Sequence, residues 1–244
     1  MTEHPTQADV LRVAATVVLL RDSPDGPEVL LLERPHHRGS FAGAWVFPGG
    51  AVDPADGLTH VPDATPGPEE EVAARRAAIR EVREETSLLL EPDSLVVAAR
   101  WTPPQGIPRR FRTWFYLASC PAGDILLSPE ESVDYAWIRP AAALERHAAG
   151  ALRLIAPTWV TLHDLIGSGS VAEALERAQR SEREDYAGRI LTSERGNVIL
   201  WHGDVAFEDD ARFDDAGPRH RLDTRALPWV YSRSPSAPHP PSHF

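Results

Sequence analysis

The stretch Arg80-Glu81-Val82-Arg83-Glu84-Glu85, reached through a long loop that leaves Phe47-Pro48-Gly49-Gly50, decides how the chain is read. Glu81, Glu84 and Glu85 are spaced i, i+3, i+4, so on a helix of 3.6 residues per turn their side chains fall within a sector of roughly 100°. Like charges placed this way destabilise a helix by roughly 0.2–0.5 kcal/mol per pair unless a cation offsets them. Hard divalent ions take carboxylate oxygens by preference, so the spacing points to a metal site, with Mg2+ as the natural occupant.

Val72, Ile79, Val82 and Leu89 recur at spacings of 7, 3 and 7, an apolar stripe that predicts which side of this helix packs on the core. The carboxylates are accordingly expected to face away from the core. The plain alternative is a solvated acidic face laced with Arg75, Arg76, Arg80 and Arg83, and the Gly49-Gly50 pair upstream counts against it.

Together these residues resemble the box of the Nudix hydrolases: Gly, five residues, Glu, seven residues, then Arg-Glu-apolar-x-Glu-Glu-x-Gly-apolar. Gly50, Arg80, Glu81, Val82, Glu84, Glu85 and Leu88 look like its members. Three positions depart from it. Gly50 and Arg80 are 30 residues apart rather than 14, Val72 stands where the box has its first Glu, and Ser87 stands where it has Gly. The extra length is assigned to residues 52–68, whose Pro, Gly and Asp content makes a regular element unfavourable. Glu71 is the nearest substitute for the missing acid. Ahead of the box, Leu30 to Pro35 and Gly43 to Gly50 are similar to the branch acting on coenzyme A, of the larger peroxisomal type and its bacterial relatives. Thr and a second Arg of that branch's signature are absent at Leu32 and Gly39, and Arg38 lies one residue from the latter.

With 42% apolar and 25% charged residues the chain reads as an ordinary globular protein, and 244 residues suffice for one or two domains. Cys120 is the only cysteine, which excludes a disulfide framework and a multi-cysteine zinc site and makes a reducing cytoplasm the expected compartment. No basic-apolar leader and no run near 18 apolar residues is present, so neither secretion by the usual signal nor membrane association is expected. A net charge of -11 argues against nucleic-acid binding, which draws on basic surface. The 25 basic residues are all Arg, which excludes chemistry that needs Lys, such as Schiff bases and the phosphate-loop Lys.

Val13 to Leu20 and Val29 to Leu32 predict two strands across the turn at Ser23 to Pro27, and Trp45 to Phe47 a short third. The box helix is expected from about Glu70 to Ser87, with Glu69-Glu70-Glu71 in its first turn. Strands follow at Leu95 to Trp101, Thr113 to Ala118 and Tyr135 to Ile138, then helices at Pro140 to Ala149 and Thr158 to Ile166. This order fits the α/β class, and the resemblance implies a Nudix-type α/β/α sandwich with a mixed central β-sheet plus a C-terminal extension. The expected boundaries are a Nudix domain at 10–166, an extension packed on it at 167–231 and a disordered tail at 232–244. Within the extension, Val171 to Arg183 reads as a helix and Asn197 to Trp201 as a strand, and the extension is expected to cover the substrate cleft. Gly167-Ser168-Gly169 with Ala172 spells a Gly-x-Gly-x-x-Ala fingerprint, but a helix rather than a strand precedes it, so it reads as a linker.

The resemblance implies a metal-dependent pyrophosphohydrolase in which Glu81, Glu84 and Glu85, with the Gly50 carbonyl, hold Mg2+ or Mn2+ and water attacks phosphorus in line. Arg80 is expected to orient Glu81 through a charge-assisted bond. The general base in such enzymes is a box Glu or a Glu in a late loop, for which Glu131 is the candidate, with Glu130 beside it. Arg34, Arg109, Arg110 and Arg112 are candidates for substrate phosphates, with Phe111 or Trp114 stacking on a base, whereas His36-His37 reads as a polar turn. The expected substrate is a small nucleoside diphosphate derivative, coenzyme A or an acyl form of it. ADP-ribose is the alternative, on account of Pro104 sixteen residues beyond Leu88. A nucleotide-binding sensor without turnover is the other alternative, and a homodimer is left open.

Overall fold

The computed structural model describes residues 11–37, 41–58, 66–104, 107 and 109–234. Its centre is a mixed sheet built on β1 (Arg12–Arg21), whose alternate residues serve two cores. Val13, Ala15, Val17 and Leu19 face one side, and Val18 and Leu20 the other. A strand buried on both faces reads as a nearly unbroken apolar run, which is what Val13 to Leu20 is. β1 pairs antiparallel with β2 (Glu28–Glu33) and β4 (Gly49–Ala51), and parallel with β6 (Phe111–Ser119). β3 (Trp45–Val46) and β7 (Asp134–Ile138) pair with β2, and β5 (Val96–Thr102) with β6.

Helix α1 (Pro68–Thr86) covers one face. Pro68 occupies its first turn and Glu69, Glu70 and Glu71 stand at the positive end of its dipole. Its buried stripe is Glu70, Ala73, Ala74, Ala77, Ala78, Val82, Glu85 and Thr86. The expected stripe is thereby corrected: Val72 is 49% exposed and Leu89 68%. Alanines bring the helix axis close to the sheet, and two carboxylates turn inward with them. The helix ends at Ser87, whose left-handed φ of 63° fits the Gly of the box better, and whose N–H closes on the Arg83 carbonyl at 2.9 Å.

The opposite face carries α2 (Pro140–Ala148), α3 (Ala156–Leu165) and α4 (Val171–Arg180) over Val18, Leu20, Leu31, Phe115 and Leu117. The layers are those expected, and the helix at Ala156–Leu165 ahead of Gly167 leaves the Gly-x-Gly pattern as a connection. Beyond α4 the chain adds β8 (Glu184–Ser193), β9 (Gly196–Trp201), β10 (His220–Asp223) and β11 (Val230–Arg233). β8 pairs parallel with β5, so these strands prolong the sheet at the edge away from β2 and β3. The expectation that this segment covers the cleft is corrected on that ground. β11 also takes Ser232 and Arg233 from the expected tail, whose residues 235–244 lie outside the described residues.

Arg112 and Glu70 form an ion pair between β6 and α1 that is almost wholly buried, at 2% and 1% side-chain exposure. Arg112 Nε donates to Glu70 Oε1 at 2.8 Å, and Trp114 Nε1 donates to the same oxygen at 2.8 Å. Removing one partner of a buried pair strands the other, at a cost of about 3–5 kcal/mol. Arg112→Met is therefore expected to lower the thermal midpoint by on the order of 10 °C, read by calorimetry.

Candidate active site

β4 places Gly49 and Gly50 under the last turns of α1, and neither position has room for a side chain. A Cβ on Gly49 would lie 2.3 Å from the Ala15 carbonyl oxygen, and one on Gly50 2.4 Å from the carboxylate of Glu81. Glu85, 5% exposed, accepts a hydrogen bond from the Gly49 N–H at 2.8 Å. The loop ahead of β7 is hooked onto the open end of the helix, since Leu126 N–H donates to the Thr86 carbonyl and Ser128 N–H to that of Glu85. That attachment delivers Glu131. Glu81, Glu85 and Glu131 each bring a carboxylate oxygen within 4.8 Å of the others.

Burial raises the pKa of Glu81, with Arg80 opposing it. Glu85 is pushed up to about 8, chiefly by burial and further by Glu81 and Glu131, against the pull of the Gly49 N–H and Arg34. Three converging carboxylates, one nearly sealed from water, are an unfavourable arrangement alone and a suitable donor set for a hard divalent cation.

Arg80 holds this cluster from behind. Its Nη1 donates to Glu81 Oε1 at 2.8 Å and to Glu84 Oε2 at 3.1 Å, while Nη2 donates to the Ala51 carbonyl at 2.9 Å and to Asp56 Oδ2 at 3.0 Å. The guanidinium pKa is raised, first by the Asp56 bond, against a cost of burial. Asp56, 5% exposed, sits in a single 3-10 turn (Pro54–Asp56) and accepts from the Asp53 N–H at 2.8 Å. It is the residue sequence reasoning missed. The signal was available: Asp56 follows Gly50 after five residues, the spacing of the first box acid. The added length therefore falls between this acid and Arg80 rather than directly behind Val52. Neither Val72, which is exposed, nor Glu71, which pairs with Arg75 at 3.6 Å, takes that place.

Other expected residues are distributed as follows. Glu84 stands outside the cluster, half-exposed against Arg80. Arg34 sends its charge towards Glu85, and its buried Nε has no hydrogen-bond partner among the described residues. Arg109 is exposed, Arg110 donates to the Pro103 carbonyl at 3.1 Å, and Phe111 lies opposite Arg12 with that guanidinium 5.4 Å from its ring. The assignment of Arg112 to substrate is corrected, because its guanidinium is buried on Glu70. Trp114, 1% exposed, is likewise a core residue bonded to Glu70. His36 lies in a turn against Glu33 at 3.1 Å, and Arg38 lies outside the described residues.

Residues 10–158, more than half of the chain, match the family model described as NUDIX domain. The chain belongs to that family and is a Nudix-type pyrophosphohydrolase, a class that generally uses divalent metals. Among solved structures it is similar to a NUDIX hydrolase from Alicyclobacillus acidocaldarius, with 24% identity and a TM-score of 0.59 over 68% of this chain and 96% of that one. A MutT NUDIX hydrolase from Burkholderia pseudomallei is similar at 21% identity and a TM-score of 0.47, over 64% and 98% of the two chains. The first of these carries the same fold. No helix among the described residues is long and apolar enough to cross a membrane.

A carboxyl group whose pKa is higher in the folded chain binds more protons there than in the unfolded chain. The stability it supports is present below its unfolded value, near 4.5, and is lost as pH rises through about 8. Metal-free protein is thus expected to melt at a lower temperature at pH 8.5 than at pH 6.5, and Mn2+ to raise the midpoint more at the higher pH. Replacing Asp56 with Ala releases Arg80 from its buried anchor. Affinity for Mn2+, measured by calorimetric titration, is expected to fall about 10- to 100-fold, the usual effect of losing a group that orients a ligand.

Proposed function

We propose that this chain hydrolyses the pyrophosphate of a nucleoside diphosphate joined to another moiety, with coenzyme A or an acyl-coenzyme A as substrate and Mg2+ or Mn2+ as cofactor. The observation that carries the proposal is the convergence of Glu81, Glu85 and Glu131 beside Gly49-Gly50, with Glu85 buried. A divalent cation bound there supplies charge neutralisation for the phosphate oxygens and makes water more acidic. Glu81 and Glu85 are assigned as its ligands, with the Gly50 carbonyl and Glu84 at hand to complete the set. Arg80 positions Glu81 and Glu84. Glu131, exposed on its loop, takes the proton from the attacking water. Arg34 is assigned to a substrate phosphate, since its charge already reaches towards Glu85 and its Nε has no hydrogen-bond partner among the described residues. Arg109, Arg110 and Phe111 are assigned a secondary role at the nucleotide end.

The coenzyme A assignment is supported by the likeness of Leu30 to Pro35 and Gly43 to Gly50 to that branch. Pro104 favours ADP-ribose as the second reading. The assembled carboxylates disfavour the sensor reading. We place the protein in the cytoplasm on its single Cys120 and treat nucleic acid and membranes as outside its partners, with the homodimer to be settled by light scattering.

The test is product detection on coenzyme A, acetyl-coenzyme A, ADP-ribose, NADH and diadenosine polyphosphates with Mg2+, Mn2+ or chelator. Metal-dependent release of 3′,5′-ADP from coenzyme A is expected, and cleavage of another compound in its place would discard the branch. Glu85→Gln is expected to remain folded and to lose at least about 100-fold in turnover, the scale of removing one preorganised electrostatic group. Unchanged turnover in that variant would sink the assigned site.

A further inference from the structure

We propose that the cleft lined by Arg76, Ile79, Arg80, Arg83 and Glu84 is a subsite for a phosphomonoester that the substrate carries in addition to its pyrophosphate. The inference rests on reading the carboxylate cluster as the hydrolytic centre, and it extends that reading to a substrate with a further phosphate. The cleft, about 610 Å3, opens on the outer side of α1. Positions 76, 80 and 83 recur at i, i+4 and i+7, so their side chains rise along one side of the helix. A chain of net charge -11 here gathers three guanidinium groups around one opening, against a single carboxylate.

The pairing of these arginines separates structural charge from available charge. Arg80 is committed to Asp56, Glu81 and Glu84. Arg75, on the same helix but outside the cleft, is paired with Glu71. Arg76 donates one bond, at 3.2 Å, to the neutral carbonyl of Asp56, so its charge has no carboxylate partner among the described residues. The Arg83 guanidinium makes no hydrogen bond or ion pair among them, only the backbone carbonyl of that residue being engaged, by the Ser87 N–H. Two uncompensated guanidinium groups beside an apolar Ile79 suit a dianion, because a guanidinium offers paired N–H donors that match two phosphate oxygens.

The scissile pyrophosphate is not the occupant, since it must reach Glu81, Glu85 and Glu131. Arg80 and Glu84 stand between that cluster and the cleft. The separation is of the order of a helix width, roughly 10 Å, which one nucleotide and the reach of an arginine side chain span together.

Two pairs of compounds differing by one phosphate, coenzyme A against dephospho-coenzyme A and NADPH against NADH, give the test. In the unaltered enzyme, kcat/KM is expected to be at least about tenfold higher for the phosphorylated member of whichever pair is cleaved, the scale of one charge-assisted contact. Arg83→Gln and Arg76→Gln should each erode that preference and leave the other member's kcat/KM unchanged. Equal rates within a pair, or variants that slow both members alike, would overturn the subsite. Calorimetric titration of 3′,5′-ADP and 5′-AMP decides the matter without turnover. The bisphosphate should bind about tenfold tighter, a margin lost in Arg83→Gln, and equal affinities overturn the proposal. Failure to cleave either pair would reject coenzyme A as substrate while the titration still judges the cleft. Inorganic phosphate that alters kcat on dephospho-coenzyme A without competing would assign the cleft to a free anion and likewise overturn it.

Discussion

One guanidinium ties together three parts of the chain, reinforcing the bonds of Gly49 to Glu85 and of Arg76 to Asp56. Arg80 reaches the Ala51 carbonyl on β4, the buried carboxylate of Asp56 in the turn that follows, and Glu81 and Glu84 on its own helix. A single positive group thereby offsets repulsion among acids that would otherwise spread apart. Charge-assisted bonds of this kind are directional as well as strong, so the bond also fixes where Glu81 points. The added residues between Asp56 and Arg80 are tolerated because this contact clamps the chain on both sides of them, and lengthening a closed connection adds little to the entropy already lost.

The sheet has a close side and a bulky side, and the carboxylate cluster lies on the close one. Ala73, Ala74, Ala77 and Ala78 let α1 settle against β1 and β6, near enough for Glu85 to accept from a strand N–H and for Glu81 to fill the space over Gly50. On the far face Trp101, Phe115, Trp159, Tyr186 and Trp201 add aromatic bulk among the aliphatic side chains between the sheet, its helices and the added strands. Small residues make the site by proximity, whereas large ones make the scaffold rigid around it.

The layered α/β fold and the acidic helix were legible because both rest on local pattern. Val13 to Leu20 and Thr113 to Ala118 announce buried strands by composition, and Pro68 with three acids marks the start of α1. The face of α1 was not legible by the same rule. Alanine contributes little hydrophobic signal, so Val72 and Leu89 drew attention to the exposed side while the true contact stripe looked neutral. Asp56 is hidden in the sequence because the added residues separate it from Arg80, and the box spacing taken back from Arg80 falls on Val72. Glu131 was nameable only through resemblance, since its place depends on carbonyls at the end of α1 capturing a loop some forty residues later. The fate of Arg112 could not be read at all: a basic residue in an apolar strand looks like a ligand-binding group until its partner, Glu70, is brought to it by the fold. β8, polar and mostly part-exposed, and β10, four residues of which three are polar, carry no alternation strong enough to mark them as strands.

The parallel ladder between β5 and β8 joins residues 99–102 to residues 184–187, and Trp101 lies flat against Tyr186 with ring centroids 4.0 Å apart. A chain made from its amino terminus has therefore completed α1 and all of the carboxylate cluster well before this seam can close. In that interval β5 is an open strand edge with a bare indole face, the kind of surface that recruits other unfolded chains. Long-range parallel pairing is also among the slower contacts to form. The seam thus sets a kinetic hazard during synthesis: the half of the molecule that holds the carboxylate cluster is finished early, and its open edge waits until the last strands arrive.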